Sequence, residues 1–187
     1  IVAPYPPQGG ISVASQSGNF VSSFLNYAKQ SGVGIARAIS AGNATQVSVE
    51  NFLNYFASDD ETKVALTYIE NVGNGESLLR AMRNITAVKP LVVLKGGATA
   101  AGSKAAQSHT GAMASNDRVF LGSTRSSGAI KVSSVEEAFD AAATFATQPL
   151  PRGKRVAVLT TVGGWGVVTA DSIARDGVLD LIDLSDD

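Results

Sequence analysis

Short runs of β-branched and aliphatic residues alternate along this chain with stretches whose apolar positions recur at helical spacing, the pattern of repeated strand–helix–strand units. Ile11–Ser15 predicts a first strand, and Asn19–Gln30 the helix that follows it. Ile35–Ser40 with Val49–Ala57, and Lys63–Ile69 with Ser77–Thr86, make the second and third pairs. A fourth strand is read at Leu91–Leu94 and leads into a glycine-rich loop that carries His109. Asp117–Ser126 reads as helix, Ile130–Val132 as a short strand and Val135–Ala146 as a further helix. The segment Gln148-Pro149-Leu150-Pro151-Arg152-Gly153 is rich in helix breakers and reads as a linker. Beyond it, Val156–Thr160 predicts a strand, Gly163-Gly164-Trp165-Gly166 a turn, Val167–Arg175 a helix and Leu179–Leu184 a last short strand. The expected organisation is an α/β domain over 1–147, a linker over 148–154 and a second, truncated α/β unit over 155–187.

Composition narrows the class. At 187 residues the chain can bury a core, and 44% hydrophobic with 17% charged residues suits a globular protein rather than a disordered one. A net charge of −1 gives no electrostatic case for binding nucleic acid. The absence of cysteine removes disulfides, thiolate catalysis and cysteine-bound zinc. No apolar run is long enough to predict a membrane span, and the first residues lack the basic-then-apolar order of a secretory signal. A start without methionine, reading as a linker entering a domain, leads to the expectation of a piece of something longer.

The candidate chemistry centres on His109, the one histidine of the chain. A single imidazole cannot assemble a histidine metal site, so no metal is expected, but it can act as a nucleophile or proton carrier near neutral pH. Its neighbours Gly102, Ser103, Ala105, Ala106, Ser108 and Gly111 are small, which keeps the loop lean enough for a phosphate to approach. The plainer alternative is an exposed loop histidine with no role. Glu70 closes the third strand, and ligands of open parallel sheets bind outside the carboxyl ends of strands. It is placed either to accept a hydrogen bond from His109, fixing the imidazole tautomer, or to sit as a solvated strand-end carboxylate.

Two strand–turn–helix junctions echo one another, at Ser15-Gln16-Ser17-Gly18 and at Gly163-Gly164-Trp165-Gly166. Each would present backbone N–H groups at a positive helix start, a common way to hold phosphate, although tight turns use glycine regardless. Lys95 and Lys104 could neutralise phosphate or be merely solvated, and Trp165 could serve a partner contact or core packing. Ser108 and His109 are adjacent and so make a poor nucleophile–base pair. Neither a Gly-x-Ser-x-Gly elbow nor a Gly-x-x-x-x-Gly-Lys-Ser/Thr loop occurs.

Taken in order, these segments resemble the α subunit or α part of NDP-forming acyl-CoA synthetases, the superfamily of succinyl-CoA synthetase. The matching stretches are Ser12–Gly18, Gly42-Asn43, Asp59–Glu70 and Lys89–Lys95, then Ser108-His109-Thr110-Gly111-Ala112, Pro149–Gly153 and Thr160–Val167. The Ser-His-Thr-Gly form is more like the acetate or broad acyl-CoA enzymes than succinyl-CoA synthetase proper. The resemblance implies a flavodoxin-like doubly wound parallel sheet and the start of a second such unit. It also implies a reversible ligase reaction in which acyl-CoA, phosphate and ADP give the acid, CoA and ATP through phospho-His109. Glu70 matches the carboxylate that supports the histidine, so the implied catalytic pair is His109 and Glu70. The implied phosphate-binding set is Ser17, Gly18, Asn19, Ser108, Thr110, Gly111, Gly163, Gly164 and Gly166. CoA, ADP or ATP and magnesium would belong to the full enzyme, in a CoA-binding Rossmann domain and an ATP-grasp domain or subunit. An oligomer in the cytoplasm is implied, with no nucleic-acid or membrane partner, and the fragment alone should be inactive. The chain departs from the family pattern at Trp165, where members often carry proline. A synthetase-like ligand-sensing region of a larger protein, such as an acetyltransferase, is the second hypothesis. A flavodoxin-like interaction domain without phosphate affinity is the third.

Overall fold

The structure is a computed structural model and describes residues 5–44, 46–104 and 116–183. These fall into two compact units, the first running to Gln148 and the second starting at Pro149. In the first, strands β1 (Gln8–Ser15), β2 (Ile35–Ser40), β3 (Val64–Ile69), β4 (Leu91–Lys95) and β5 (Ile130–Val132) form one sheet in the order β2-β1-β3-β4-β5. Every neighbouring pair is parallel. This is the flavodoxin-like doubly wound arrangement, with helices α1 (Gly18–Ser31), α2 (Val49–Ser58), α3 (Gly75–Thr86), α4 (Asp117–Ser127) and α5 (Val135–Thr147). Residues 100–104 are also helical.

The central strands are buried from end to end, through all six residues of β3 and all five of β4. Sheets covered on both faces call for nearly continuous apolar runs, and Thr67 and Lys95 are the polar exceptions here. One face packs Val13, Leu66, Tyr68, Val92 and Leu94 against Val21 and Phe24 of α1 and Phe139 of α5. The other packs Ala14, Ala65, Ile69 and Val93 against α2, α3 and α4 through Leu53, Phe56, Met82, Ile85 and Phe120. Alternation along each strand thus sends neighbouring side chains into two separate cores.

Strand β1 begins earlier than the hydrophobic pattern predicts, because Gln8, Gly9 and Gly10 continue the pairing with β2 through a bulge. Gly9 and Gly34 lie face to face there, and a Cβ on Gly34 would strike the Gln8 carbonyl. Elsewhere in this unit the elements fall close to their predicted bounds. Side chains close several helix starts: Asn74 accepts from the Ser77 N–H at 2.9 Å, and Ser134 from the Glu137 N–H at 3.1 Å.

A polar network ties α2 to the strands. The Asp59 carboxylate accepts from the Thr62 hydroxyl at 2.6 Å and pairs with Arg37 of β2 at 3.0 Å, and the Thr62 oxygen in turn accepts from the buried Ser12 hydroxyl of β1 at 2.6 Å. The Thr62 hydroxyl, and then the Arg37 guanidinium, hold the Asp59 carboxyl below the usual carboxylate range. A carboxyl whose pKa is depressed by folding adds stability at pH above its unfolded value, and that stability is lost as pH falls through the folded value. The urea midpoint, followed by circular dichroism, is therefore expected to drop from about pH 4 downward in the wild type and to drop less in Asp59→Asn. Parallel pH profiles for the two proteins would contradict this.

The second unit holds β6 (Arg155–Val156), α6 (Gly163–Asp176) and β7 (Asp180–Leu181), with the two strands parallel. Both strands are shorter than the predicted Val156–Thr160 and Leu179–Leu184, the last of which runs past the described residues. A strand persists only where a neighbour completes its ladder, and β7 offers β6 a partner for two residues only. Helix α6 starts at Gly163, so the predicted glycine turn is instead the first turn of the helix, and Trp165 lies within it, exposed. Among the described residues no helix is long and apolar enough to cross a membrane.

Candidate functional site

In this strand order the winding reverses between β1 and β3: α1 leaves β1 towards one face, while α3 leaves β3 towards the other. The carboxyl ends of these two strands therefore open into a crevice, the place where such sheets bind ligands. Ser17 and Glu70 stand on its two sides.

The β1 side is built as a tight turn. The Ser15 hydroxyl accepts from the Ser17 N–H at 3.0 Å and donates to the Ser17 carbonyl at 2.8 Å. Ser17 is the extended N-cap of α1, its hydroxyl accepting a long 3.5 Å bond from the Phe20 N–H. The Val21 N–H bonds back to the Ser17 carbonyl, so the N–H groups of Gly18 and Asn19 precede the intrahelical ladder at the positive end of the helix. Such a start can receive an anion.

On the β3 side, Glu70 is locked to β1 by a residue that sequence reasoning did not single out. The Gln16 side-chain oxygen accepts from the N–H groups of Glu70 at 2.7 Å and Asn71 at 2.9 Å, and its amide donates to the Asn71 carbonyl at 2.8 Å. The Gln16 N–H also donates to the Tyr68 carbonyl. Helix start and carboxylate thus share one rigid frame. The Tyr68 hydroxyl donates to Glu70 Oε1 at 2.9 Å, and its ring stacks on Phe20 of α1 with centroids 3.9 Å apart. Burial first, and the bond to Glu70 second, push the phenol pKa up, so Tyr68 stays a donor at neutral pH.

Gly96, just past β4, lets this happen. A Cβ there would lie 2.5 Å from the Tyr68 hydroxyl and 3.2 Å from Glu70 Cγ. Gly96→Ala is expected to destabilise the first unit by about 1–3 kcal/mol through overpacking, read as a lower urea midpoint with unchanged slope. A neutral result would mean that Tyr68 and Glu70 move aside freely.

Lys95 is not the solvated loop lysine considered from sequence. It is buried, its ammonium donates to the Gly96 carbonyl at 2.9 Å and it lies 5.5 Å from the centre of the Phe120 ring. Burial pushes its pKa down. Its register partner is Ile69, which packs in the core formed with α2, α3 and α4, whereas Tyr68 packs in the opposite one.

In the second unit, Gly163, Gly164 and Gly166 occupy the first turn of α6. The N-cap Val162 has no side-chain cap, while Thr160 Oγ1 accepts from the Val162 N–H at 3.0 Å. His109, Ser108, Thr110 and Gly111 lie outside the described residues. The structure therefore brings together Ser17, Gly18, Asn19 and Glu70, and adds Gln16, Tyr68 and Gly96 to them. The only sequence signal for Gln16 was its place inside the Ser15–Gly18 turn, and nothing marked Tyr68 or Gly96 beyond the strand and loop that hold them.

Residues 8–145 match the family described as succinyl-CoA ligase like flavodoxin domain. The chain is 41% identical over 92% of its length to acetate–CoA ligase [ADP-forming] I of Archaeoglobus fulgidus, of which it covers 25%. It is 33% identical over 91% of its length to the α subunit of acetate–CoA ligase [ADP-forming] II of Pyrococcus furiosus, covering 37% of that protein. A solved structure of the dinucleotide forming acetyl-coenzyme A synthetase 1 of Ca. Korarchaeum cryptofilum, in complex with phosphate and ADP, superposes with a TM-score of 0.87 at 31% identity. That match covers 95% of this chain and 39% of the other. The chain thus spans between a quarter and two-fifths of the length of these relatives. Fold, strand order and the matched stretch agree, and the chain belongs to the succinyl-CoA ligase-like flavodoxin domain family.

Proposed function

We propose that this chain is the phosphohistidine-bearing part of an ADP-forming acyl-CoA synthetase. Phosphate displaces CoA from the acyl-CoA to give an acyl phosphate. An imidazole nitrogen of His109 then attacks phosphorus, the acid leaves, and phospho-His109 passes its phosphoryl group to ADP. Glu70 accepts a hydrogen bond from the other imidazole nitrogen and stabilises the positive charge that develops on the ring. The N–H groups at the start of α1, with Ser17, Gly18 and Asn19, receive the phosphoryl oxygens, and the start of α6, with Gly163, Gly164 and Gly166, is a second phosphate-receiving helix start in its own unit. Ser108, Thr110 and Gly111 flank the histidine in the same task. Phosphoryl transfer depends chiefly on positioning and charge stabilisation, which a helix start and a fixed carboxylate can supply.

The observation that carries this reading is the attachment of Glu70 through Gln16 to the start of α1, at the crevice between β1 and β3. The relatives that are ADP-forming acetate–CoA ligases support it. CoA and ADP are assigned to a Rossmann domain and an ATP-grasp domain or subunit. Magnesium is assigned with ADP to the ATP-grasp part.

The test uses the full-length protein with its ATP-binding part, incubated with ATP and magnesium and analysed by intact mass. An acid-labile phosphoryl adduct is expected on the wild type and none on His109→Ala. A wild type without adduct, or an undiminished adduct on the variant, refutes the assignment.

A further inference from the structure

We propose that Tyr68 is a positioning residue for phosphoryl transfer, holding the Glu70 carboxylate at the angle from which it orients His109. The inference deepens the proposed function and rests on it.

Glu70 sits one residue past the end of β3, where a glutamate side chain would ordinarily sweep a wide arc through its three torsions. Among the described residues, Gln16, Tyr68 and Gly96 restrict it. Gln16 fixes the main chain of residues 70 and 71 by hydrogen bonds of 2.7, 2.9 and 2.8 Å. The Tyr68 phenol fixes the far end of the side chain, donating to Oε1 at 2.9 Å. Bare Gly96 lies against both groups and leaves no slack for a Cβ. The phenol is itself immobilised, since its ring is buried and stacked on Phe20, three residues into the helix whose start faces the crevice. The carboxylate and that helix start are therefore held in one frame, joined by an aromatic pair rather than by the main chain alone. Misplacement of a reacting group by about 1 Å can cost about a hundredfold in rate, so the bond has leverage on the chemistry without touching the phosphoryl group.

Tyr68→Phe keeps the ring and its stack and removes only the hydroxyl. In the full-length protein with its ATP-binding part, we would measure single-turnover formation of phospho-His109 from acetyl phosphate and its KM. The set is wild type, Tyr68→Phe, Glu70→Ala and the double variant. The expected result is a fall of about tenfold or more in the rate for Tyr68→Phe with little change in KM. In the Glu70→Ala background the same substitution should have no further effect, because a residue acting only through Glu70 has nothing left to act on. A wild-type rate in Tyr68→Phe, or an equal fold-loss in both backgrounds, overturns the assignment of Tyr68 and leaves the proposed function standing. A wild-type rate in Glu70→Ala overturns the role of Glu70 itself, and the inference with it.

Discussion

If the proposed function holds, His109→Ala in the full-length protein with its ATP-binding part, assayed with acetyl-CoA, phosphate and ADP, is expected to lower ATP formation by at least about 10⁴-fold. The magnitude follows from the loss of the covalent carrier. A covalent carrier splits one difficult transfer into two easier ones, and its removal leaves no route between acyl phosphate and ADP if the two meet at separate places. The loss should fall on turnover, while release of CoA from acetyl-CoA and phosphate, measured as a half-reaction, persists at least for one turnover. Added imidazole should restore part of the activity to His109→Gly, because a free ring can occupy the space and carry the same phosphoryl group. Turnover of His109→Ala within tenfold of wild type would end the phosphohistidine proposal.

The second large effect concerns stability. Phe24→Ala is expected to cost about 3–5 kcal/mol. Phe24 is fully inaccessible on the inner face of α1, packed among Val13, Leu66 and Phe139 and tilted against Phe20 at 6.3 Å between centroids. Truncation removes a ring from water-free surroundings and leaves a hole that strands on one side and two helices on the other cannot close. For a unit of this size the melting temperature should fall by roughly 10 °C, observed by calorimetry or circular dichroism. A loss below about 1 kcal/mol would mean that α1 is not anchored by this core. Because Phe20 and Ser17 lie on the same helix, partial loosening should also weaken the crevice before global unfolding.

Much of the fold was legible because doubly covered parallel strands leave a plain signature. Leu91–Leu94 is an unbroken apolar run closed by Pro90 on one side and by Lys95 and Gly96 on the other, and the helices between strands carry regular apolar stripes. The second unit was less legible, since three glycines in Gly163–Gly166 argue for a turn by propensity. Propensity is a weak prior, and the N–H groups of Trp165 and Gly166 both bond to the Val162 carbonyl and start the helix there. At the candidate site, Ser17 and Glu70 could be found because both follow strands. The Gln16 clamp could not, because it joins residues more than fifty positions apart, and no local pattern encodes such a bond. The same holds for Gly96, whose need for a missing Cβ arises only when β3 and β4 are side by side.

The central location of β1 constrains the order of assembly. It pairs with β2 on one edge and with β3 on the other, yet the ribosome delivers β2 first. A nascent chain can zip β1 to β2 through the short loop of α1, but the opposite edge must wait exposed until α2 has been made and β3 arrives. Closing that longer loop costs entropy before any contact repays it. The crevice between β1 and β3, and with it the Gln16 clamp, thus cannot form until β3 has been made and seals the second edge of β1.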